Sequence, residues 1–283
     1  MKRCCVNGRP ASEIGILDRS LHYGDGVFET MALQDGVIRL WHRHLQRLVR
    51  GCERLSIVPP LPATLENEIV TLTTGIPEGI VKLIITRGSG ARGYAPRGSG
   101  GATRIILLYG NRELPADHWR RGVRVRFCTT RFGRNCALAG IKHLNRLEQV
   151  LARLETDDER ADEGLMLDDR EHVISGTMSN VFIVDGKRLT TPALRECGVE
   201  GVMRAVVLEL AAETGVDVQI RDLHREEVER AQEMFVTNAL IGIWPVRECA
   251  GRSLATGATT QLMMQRLAER GVRECRISSG RGS

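Results

Sequence analysis

Apolar and polar positions change period several times along the chain. Val27 to Gln34, Asp35-Gly36 and Val37 to Trp41 read as a β-hairpin, because Asp-Gly tolerates the positive φ angles of a two-residue turn. From Trp41 to Ile57 the apolar residues Leu45, Leu48, Val49, Cys52 and Leu55 recur at three and four, which predicts a helix with one buried stripe. Strand character follows at Ile80 to Thr86, Thr103 to Tyr109 and Val123 to Thr129, between Gly- and Pro-bearing turns. The run from 131 to 139 has no clear period and reads as a connection. Beyond it come a helix from Arg146 to about Thr156, strands at Gly164 to Leu167 and Asn180 to Asp185, and a helix from Val202 to Thr214. Strands near Val216 to Ile220, Met234 to Thr237 and Ile243 to Val246 precede a last helix from about Thr256 to Arg270. The expectation is an α+β protein of two domains: a smaller N-terminal one over 1–130, a connection over 131–139, a larger C-terminal one over 140–276, and a frayed Gly/Ser/Arg tail over 277–283.

Composition narrows the class. Of the 283 residues, 42% are hydrophobic and 27% charged, ordinary for a soluble globular chain, and no apolar run reaches the eighteen or so residues of a spanning helix. A cytoplasmic protein without a membrane partner is expected, since no apolar h-region follows the basic N-terminus. The eight cysteines form no C-x-x-C pair, so reduced thiols are expected and no metal site. The net charge of +5 comes from 40 basic residues interleaved with 35 acidic ones, and only 4% of residues are aromatic. That balance favours anionic small molecules over nucleic acid.

Five segments carry candidate chemistry. Gly140-Ile141-Lys142-His143-Leu144-Asn145-Arg146 places a lysine at the mouth of an amphipathic run; an ordinary lysine, with a pKa of roughly 10.4, is protonated at neutral pH, so a working one needs desolvation or a covalent role. Leu21 to Thr30 (Leu-His-Tyr-Gly-Asp-Gly-Val-Phe-Glu-Thr) turns tightly before a strand, and His44-Leu45-Gln46-Arg47-Leu48 sits on the helix that follows. Arg39, Arg43, Arg47, Arg50 and Arg54 recur at helical spacing, as a solvated stripe does. Gly198-Val199-Glu200-Gly201-Val202-Met203 opens a helix whose first N–H groups suit an anion. Arg87 to Tyr94 (Arg-Gly-Ser-Gly-Ala-Arg-Gly-Tyr) is a glycine-rich loop with two arginines.

Together these segments resemble fold-type IV pyridoxal phosphate enzymes, which include branched-chain and D-amino acid aminotransferases. The words around Lys142 and Arg92 are most similar to the aminodeoxychorismate lyase subgroup, and the resemblance runs from about Asn7 to Gly251. It implies a cofactor cleft between the two domains of a homodimer, with pyridoxal 5'-phosphate carried on Lys142. It further implies phosphate contacts from Arg47, from Val202 and Met203 through their backbone amides, and from the segment of Asn238 and Ala239. Phe28, Thr30, Arg92 and Tyr94 become candidate substrate contacts, and His143 is read as structural.

One position departs from the pattern. In Val173-Ile174-Ser175-Gly176-Thr177-Met178-Ser179-Asn180, the family usually has a glutamate where Ser175 stands. That carboxylate would pair with the protonated pyridine nitrogen, whereas a serine hydroxyl offers at most a hydrogen bond to an unprotonated one. The resemblance implies conversion of aminodeoxychorismate to 4-aminobenzoate and pyruvate in folate biosynthesis, with Lys142 as the catalytic residue. Amino transfer by the same fold is the alternative, and a non-catalytic pyridoxal phosphate-binding protein, favoured by Ser175, is a second.

Overall fold

The computed structural model describes residues 2–98, 100–110, 115–158 and 161–276, so the expected frayed tail over 277–283 lies outside the described residues. The chain divides into two compact units. One comprises Met1–Glu113 with Ile141–Arg146, the other Leu114–Gly140 with Leu147–Ser283.

The first unit holds β1 (Arg3–Val6), β2 (Arg9–Pro10), α1 (Arg19–Tyr23), β3 (Gly26–Gln34), β4 (Val37–Ile38), α2 (Trp41–Arg54), α3 (Pro62–Thr73), β5 (Gly79–Thr86) and β6 (Thr103–Tyr109). Its sheet runs β2-β1-β6-β5-β3-β4 with antiparallel neighbours. The expected hairpin forms: Asp35 and Gly36 take φ of 52° and 77°, the two positive values that a tight turn requires. β3 then alternates, with Val27, Glu29, Met31 and Leu33 buried and Phe28, Thr30 and Ala32 more open. The buried phase meets Val81, Leu83 and Ile85 of β5, Ile106 and Leu108 of β6, and the apolar stripes of α2 and α3. α2 stops at Arg54, short of the expected Ile57, because Ser56 adopts φ 54°. α3 went unread in the sequence, although Pro62 in its first turn and Leu65, Ile69 and Leu72 at helical spacing signal it.

The second unit holds α4 (Asp117–Arg120), β7 (Val123–Phe132), α5 (Leu147–Asp158), β8 (Glu163–Asp168), β9 (Val173–Gly176), β10 (Asn180–Asp185), β11 (Arg188–Pro192), α6 (Val202–Glu213), β12 (Asp217–Arg221), α7 (Arg225–Arg230), β13 (Glu233–Asn238), β14 (Gly242–Cys249), β15 (Arg252–Ser253) and α8 (Ala258–Glu269). Its nine-stranded sheet follows β12-β11-β10-β13-β14-β7-β8-β9, with β15 on β14. Most positions of β8 and β10 are buried, so these strands read as short unbroken apolar runs.

The division differs from the expected one in two places. β7 pairs in parallel with β14 and β8, so Val123–Phe132 belongs to the second sheet, not to a domain ending at 130. Ile141–Arg146 belongs with the first unit, although the chain reaches it from the second. Strand pairing with distant partners decided both, and a local pattern carries no record of a partner.

α5 forms at the expected place, yet its apolar stripe Leu147, Val150, Leu151 and Leu154 is more than half exposed. All eight cysteines are free thiols. Among the described residues no helix is long and apolar enough to cross a membrane.

Candidate active site

In the first unit the segment 141–146 lies antiparallel to the start of β3. Phe28 N donates to the Lys142 carbonyl at 2.9 Å, Leu144 N donates to the Gly26 carbonyl at 3.0 Å, and Val27 bridges His143. Gly26 permits this approach: a Cβ there would lie 2.9 Å from Leu144 Cδ1 and overlap the Ile85 carbonyl oxygen. The pairing fixes Lys142 beside Phe28, its Nζ 4.5 Å from the ring centroid. Lys82 of β5 reaches the same ring at 5.1 Å. Among the described residues the Lys142 amine has no hydrogen bond or ion pair.

Desolvation lowers the Lys142 pKa most, followed by the positive charges of Arg47 and Arg146; Glu29 opposes them and Lys82 adds to them, and the balance stands at about 7. A large neutral fraction near neutral pH is the condition for an amine to act as nucleophile or base. His143 is pushed down to about 4 by desolvation, Arg146 and Lys142, so it is neutral at pH 7 and Lys142 is the group that titrates there.

Because β3 alternates, Glu29 points away from Phe28 into the core, where α2 delivers His44 and Arg47 three residues apart. All three are buried. Glu29 accepts from Arg47 Nε at 2.8 Å and Nη2 at 2.5 Å, a two-pronged pair, and lies 2.6 Å from His44 Nδ1. Desolvation alone would raise the Glu29 pKa, but the Arg47 charge and the hydrogen bonds of Arg47 and His44 outweigh it and hold the carboxyl at about 2. Glu29 and His44 were not singled out as site residues from the sequence. The signal was an acid in the buried phase of an alternating strand, and a histidine one helical turn before Arg47.

In the second unit, α6 opens at Gly201, which caps it with no side chain; a Cβ there would overlap Asn180 Oδ1, while Asn180 Nδ2 donates to the Val199 carbonyl at 2.9 Å. The first-turn amides of Val202 and Met203 therefore face no capping side chain. Asn238 Oδ1 accepts from Leu240 N at 2.8 Å and Ile241 N at 3.0 Å, so its side chain builds the turn that carries Ala239. Ser175 is buried in β9, and its hydroxyl donates to the Gly176 carbonyl at 2.9 Å. Glu171, the nearest acid in sequence, pairs with Arg131 instead.

The loop after β5 is tied down by Arg19, which bonds Asp25 and the carbonyls of Gly93 and Tyr94, and by Arg87, which also bonds Asp25. Arg92 is exposed and Tyr94 is 87% exposed, resting on Tyr23 at 5.4 Å between centroids. Among the described residues neither hydrogen-bonds nor ring-stacks with Lys142 or Phe28. The structure thus sets Lys142 on the Phe28 ring, brings the Arg47 charge near enough to act on Lys142, and leaves Arg92 and Tyr94 exposed on the loop after β5.

The chain belongs to the class IV amino-transferase family, whose model matches residues 26–249. The chain is 37% identical to the aminodeoxychorismate lyase of Vibrio harveyi, over 85% of this chain and 89% of that protein. Its structure matches that of 4-amino-4-deoxychorismate lyase from Pseudomonas aeruginosa with a TM-score of 0.90 at 45% identity, covering 95% and 99% of the two chains. It matches the fold of the branched-chain aminotransferase from the thermophilic archaeon Thermoproteus uzoniensis, solved with norvaline, with a TM-score of 0.86 at 24% identity, covering 96% and 95%. The fold is accordingly that of the fold-type IV enzymes.

Reductive methylation followed by peptide mapping checks the amine. Modification of Lys142 should rise through a midpoint at about 7 and level off above it, because the protonated form is inert. In Glu29→Gln the midpoint should move lower, since the lost anion favoured the protonated amine. A Lys142 midpoint near 10 would remove the site.

Proposed function

We propose that this protein is a pyridoxal 5'-phosphate-dependent 4-amino-4-deoxychorismate lyase, which releases pyruvate and leaves 4-aminobenzoate for folate biosynthesis. The observation that carries this reading is Lys142, an amine without a hydrogen bond among the described residues, held on Phe28 and brought to about 7. The two lyases similar to it at 37% and 45% identity supply the substrate class.

Each unit carries donors that suit the cofactor. Lys142 offers an amine for its carbonyl, Arg47 a guanidinium for its phosphate, and α6 the amides of Val202 and Met203 behind a glycine that no larger residue replaces. The turn of Asn238 and Ala239 is proposed as a further phosphate contact. When bound, the cofactor supplies a reactive carbonyl and an electron-withdrawing ring. Everything else falls to the chain. Lys142 Nζ takes the proton from the substrate ring carbon bearing nitrogen and returns it to the departing enolpyruvate, which becomes pyruvate. Loss of that group makes the ring aromatic, so little charge has to be stored. Ser175, neutral and bonded to Gly176, matches that modest demand. Phe28, Thr30, Arg92 and Tyr94 are the proposed substrate contacts.

The family's description favours amino transfer as the second reading. It requires charge to be held through a reversible half-reaction, which a carboxylate in place of Ser175 would support better. We also propose a cytoplasmic homodimer. The free thiols suit a reducing compartment, and the exposed stripe of α5 suits a second copy, since four apolar residues on consecutive turns lose solvent contact only against another apolar surface.

Incubation with enzymatically generated aminodeoxychorismate should yield 4-aminobenzoate, and Lys142→Ala should slow this by about a thousandfold. Borohydride reduction of the cofactor-loaded protein should leave the pyridoxyl group on Lys142. Transfer to a keto acid without 4-aminobenzoate would favour the second reading, and a cofactor spectrum without any turnover a carrier.

Ser175→Glu should raise amino-transfer side activity more than single-turnover lyase rate, both measured with cofactor fully loaded. A large gain in the lyase rate with none in transfer would sink the account of Ser175.

Sedimentation velocity should show a dimer, and Leu151→Glu combined with Leu154→Glu should give a monomer. A wild-type monomer at micromolar concentration would end the dimer proposal.

A further inference from the structure

Arg146 closes the segment that carries Lys142, and the proposed reaction gives it no part. The pairing with β3 engages one edge of that segment only: the Lys142 carbonyl accepts from Phe28 N, and Leu144 N donates to the Gly26 carbonyl. Neighbouring carbonyls of an extended backbone point to opposite sides, so those of Ile141 and His143 face away from β3. Among the described residues no backbone N–H donates to either. Arg146 fills both instead. Its Nε donates to the His143 carbonyl at 2.9 Å and its Nη2 to the Ile141 carbonyl at 3.2 Å, so one planar guanidinium spans the carbonyls on either side of Lys142. The backbone bends at Ile141 and again at Leu144, which brings the two acceptors within reach of a single fork. Asn145 ties the segment on the β3 side, donating from Nδ2 to the Gly24 carbonyl at 3.2 Å.

A long, flexible side chain keeps its amine in one place only if the backbone beneath it is fixed. Here β3 fixes that backbone from one edge and Arg146 from the other. We infer that Arg146 is a positioning residue for Lys142, whose fork braces the free edge of the segment and so holds Nζ against the Phe28 ring. A lysine at 146 would not do this, since an ammonium is a point charge on a flexible stem and cannot hold two carbonyls in a fixed plane. The inference rests on Lys142 being the working amine, and not on which substrate it serves. The other charged groups that act on Lys142 are Glu29 of β3, Arg47 of α2 and Lys82 of β5, with His143 beside it in the same segment. The test leaves all four in place.

Arg146→Met removes the fork and the charge, and Arg146→Lys removes the fork alone. Two readouts on the full chain need no turnover: amide hydrogen exchange with cofactor loaded, and the pH profile of Lys142 reductive methylation with cofactor removed. In both variants the Phe28 and Leu144 amides should exchange about tenfold faster or more, while that of Met31, which pairs with β5 further along β3, should stay within about threefold of wild type. The methylation midpoint, at about 7 in wild type, should rise in both, because a loosened amine regains water and desolvation is the largest cause that lowers it. It should rise further in Arg146→Met, which also loses a cation. At pH 7 kcat for aminodeoxychorismate should fall about tenfold in both variants and recover in part as pH rises, with KM within about threefold. Exchange and midpoint like those of wild type in both variants would overturn the assignment. Wild-type behaviour in Arg146→Lys alone would reduce the effect to charge. Faster exchange at Met31 as well would make Arg146 a general stabilising residue, and a rise in KM or loss of cofactor on gel filtration, with exchange unchanged, would make it a ligand contact; either result sinks the positioning role. If wild type makes no 4-aminobenzoate while exchange and methylation behave as expected, the lyase reading fails and the positioning role stands.

Discussion

The buried carboxylate of Glu29 is the constraint on which the first unit is built. A desolvated anion is costly unless its oxygens are filled, and here a two-pronged arginine and a histidine fill them. Removing one partner of such a group costs about 3–5 kcal/mol, so β3 and α2 are locked in one register. The same lock sets the other face of β3. Once Glu29 points inward, Phe28 and Thr30 point the opposite way, and the strand-paired segment carrying Lys142 has one ring to rest on. Glu29 also acts on Lys142, because its charge opposes the causes that lower that amine's pKa.

A second buried carboxylate organises part of the other unit. Glu163, at the start of β8, accepts from Gly164 N at 2.9 Å, Thr177 N at 3.0 Å, Thr177 Oγ1 at 2.5 Å and Ser179 Oγ at 2.7 Å. It thereby shapes the turn between Ser175 and Asn180, and a Cβ on Gly176 would lie 2.8 Å from Glu163 Oε2. An acid introduced at position 175 would sit one residue from this filled site. It would depend on a cation, such as a protonated ring nitrogen, to be tolerated there.

The two units thus manage charge in opposite ways. In the first, burial and the positive charges of Arg47 and Arg146 bring the Lys142 amine down to about 7. In the second, Ser175 is a neutral hydroxyl bonded to Gly176, and the Glu163 anion is saturated by donors.

Much of this was legible in the sequence. The Asp35-Gly36 hairpin, the Leu45 to Leu55 stripe, α6 and most strands follow from local rules of turn chemistry and period, and the word around Lys142 was enough to nominate the amine. α3 was legible too, from Pro62 and its stripe, but went unread. The sequence did not tell that β7 pairs with β14 and β8, or that Ile141–Arg146 packs with the first unit, since pairing is settled between residues far apart in the chain. Nor did the helical pattern tell His44 from the other polar residues of α2, and Arg47 stood out only through the resemblance. A helical stripe looks alike whether water or a carboxylate faces it, and only the tertiary structure, by burying Glu29 opposite that turn, decided which cations leave the solvent.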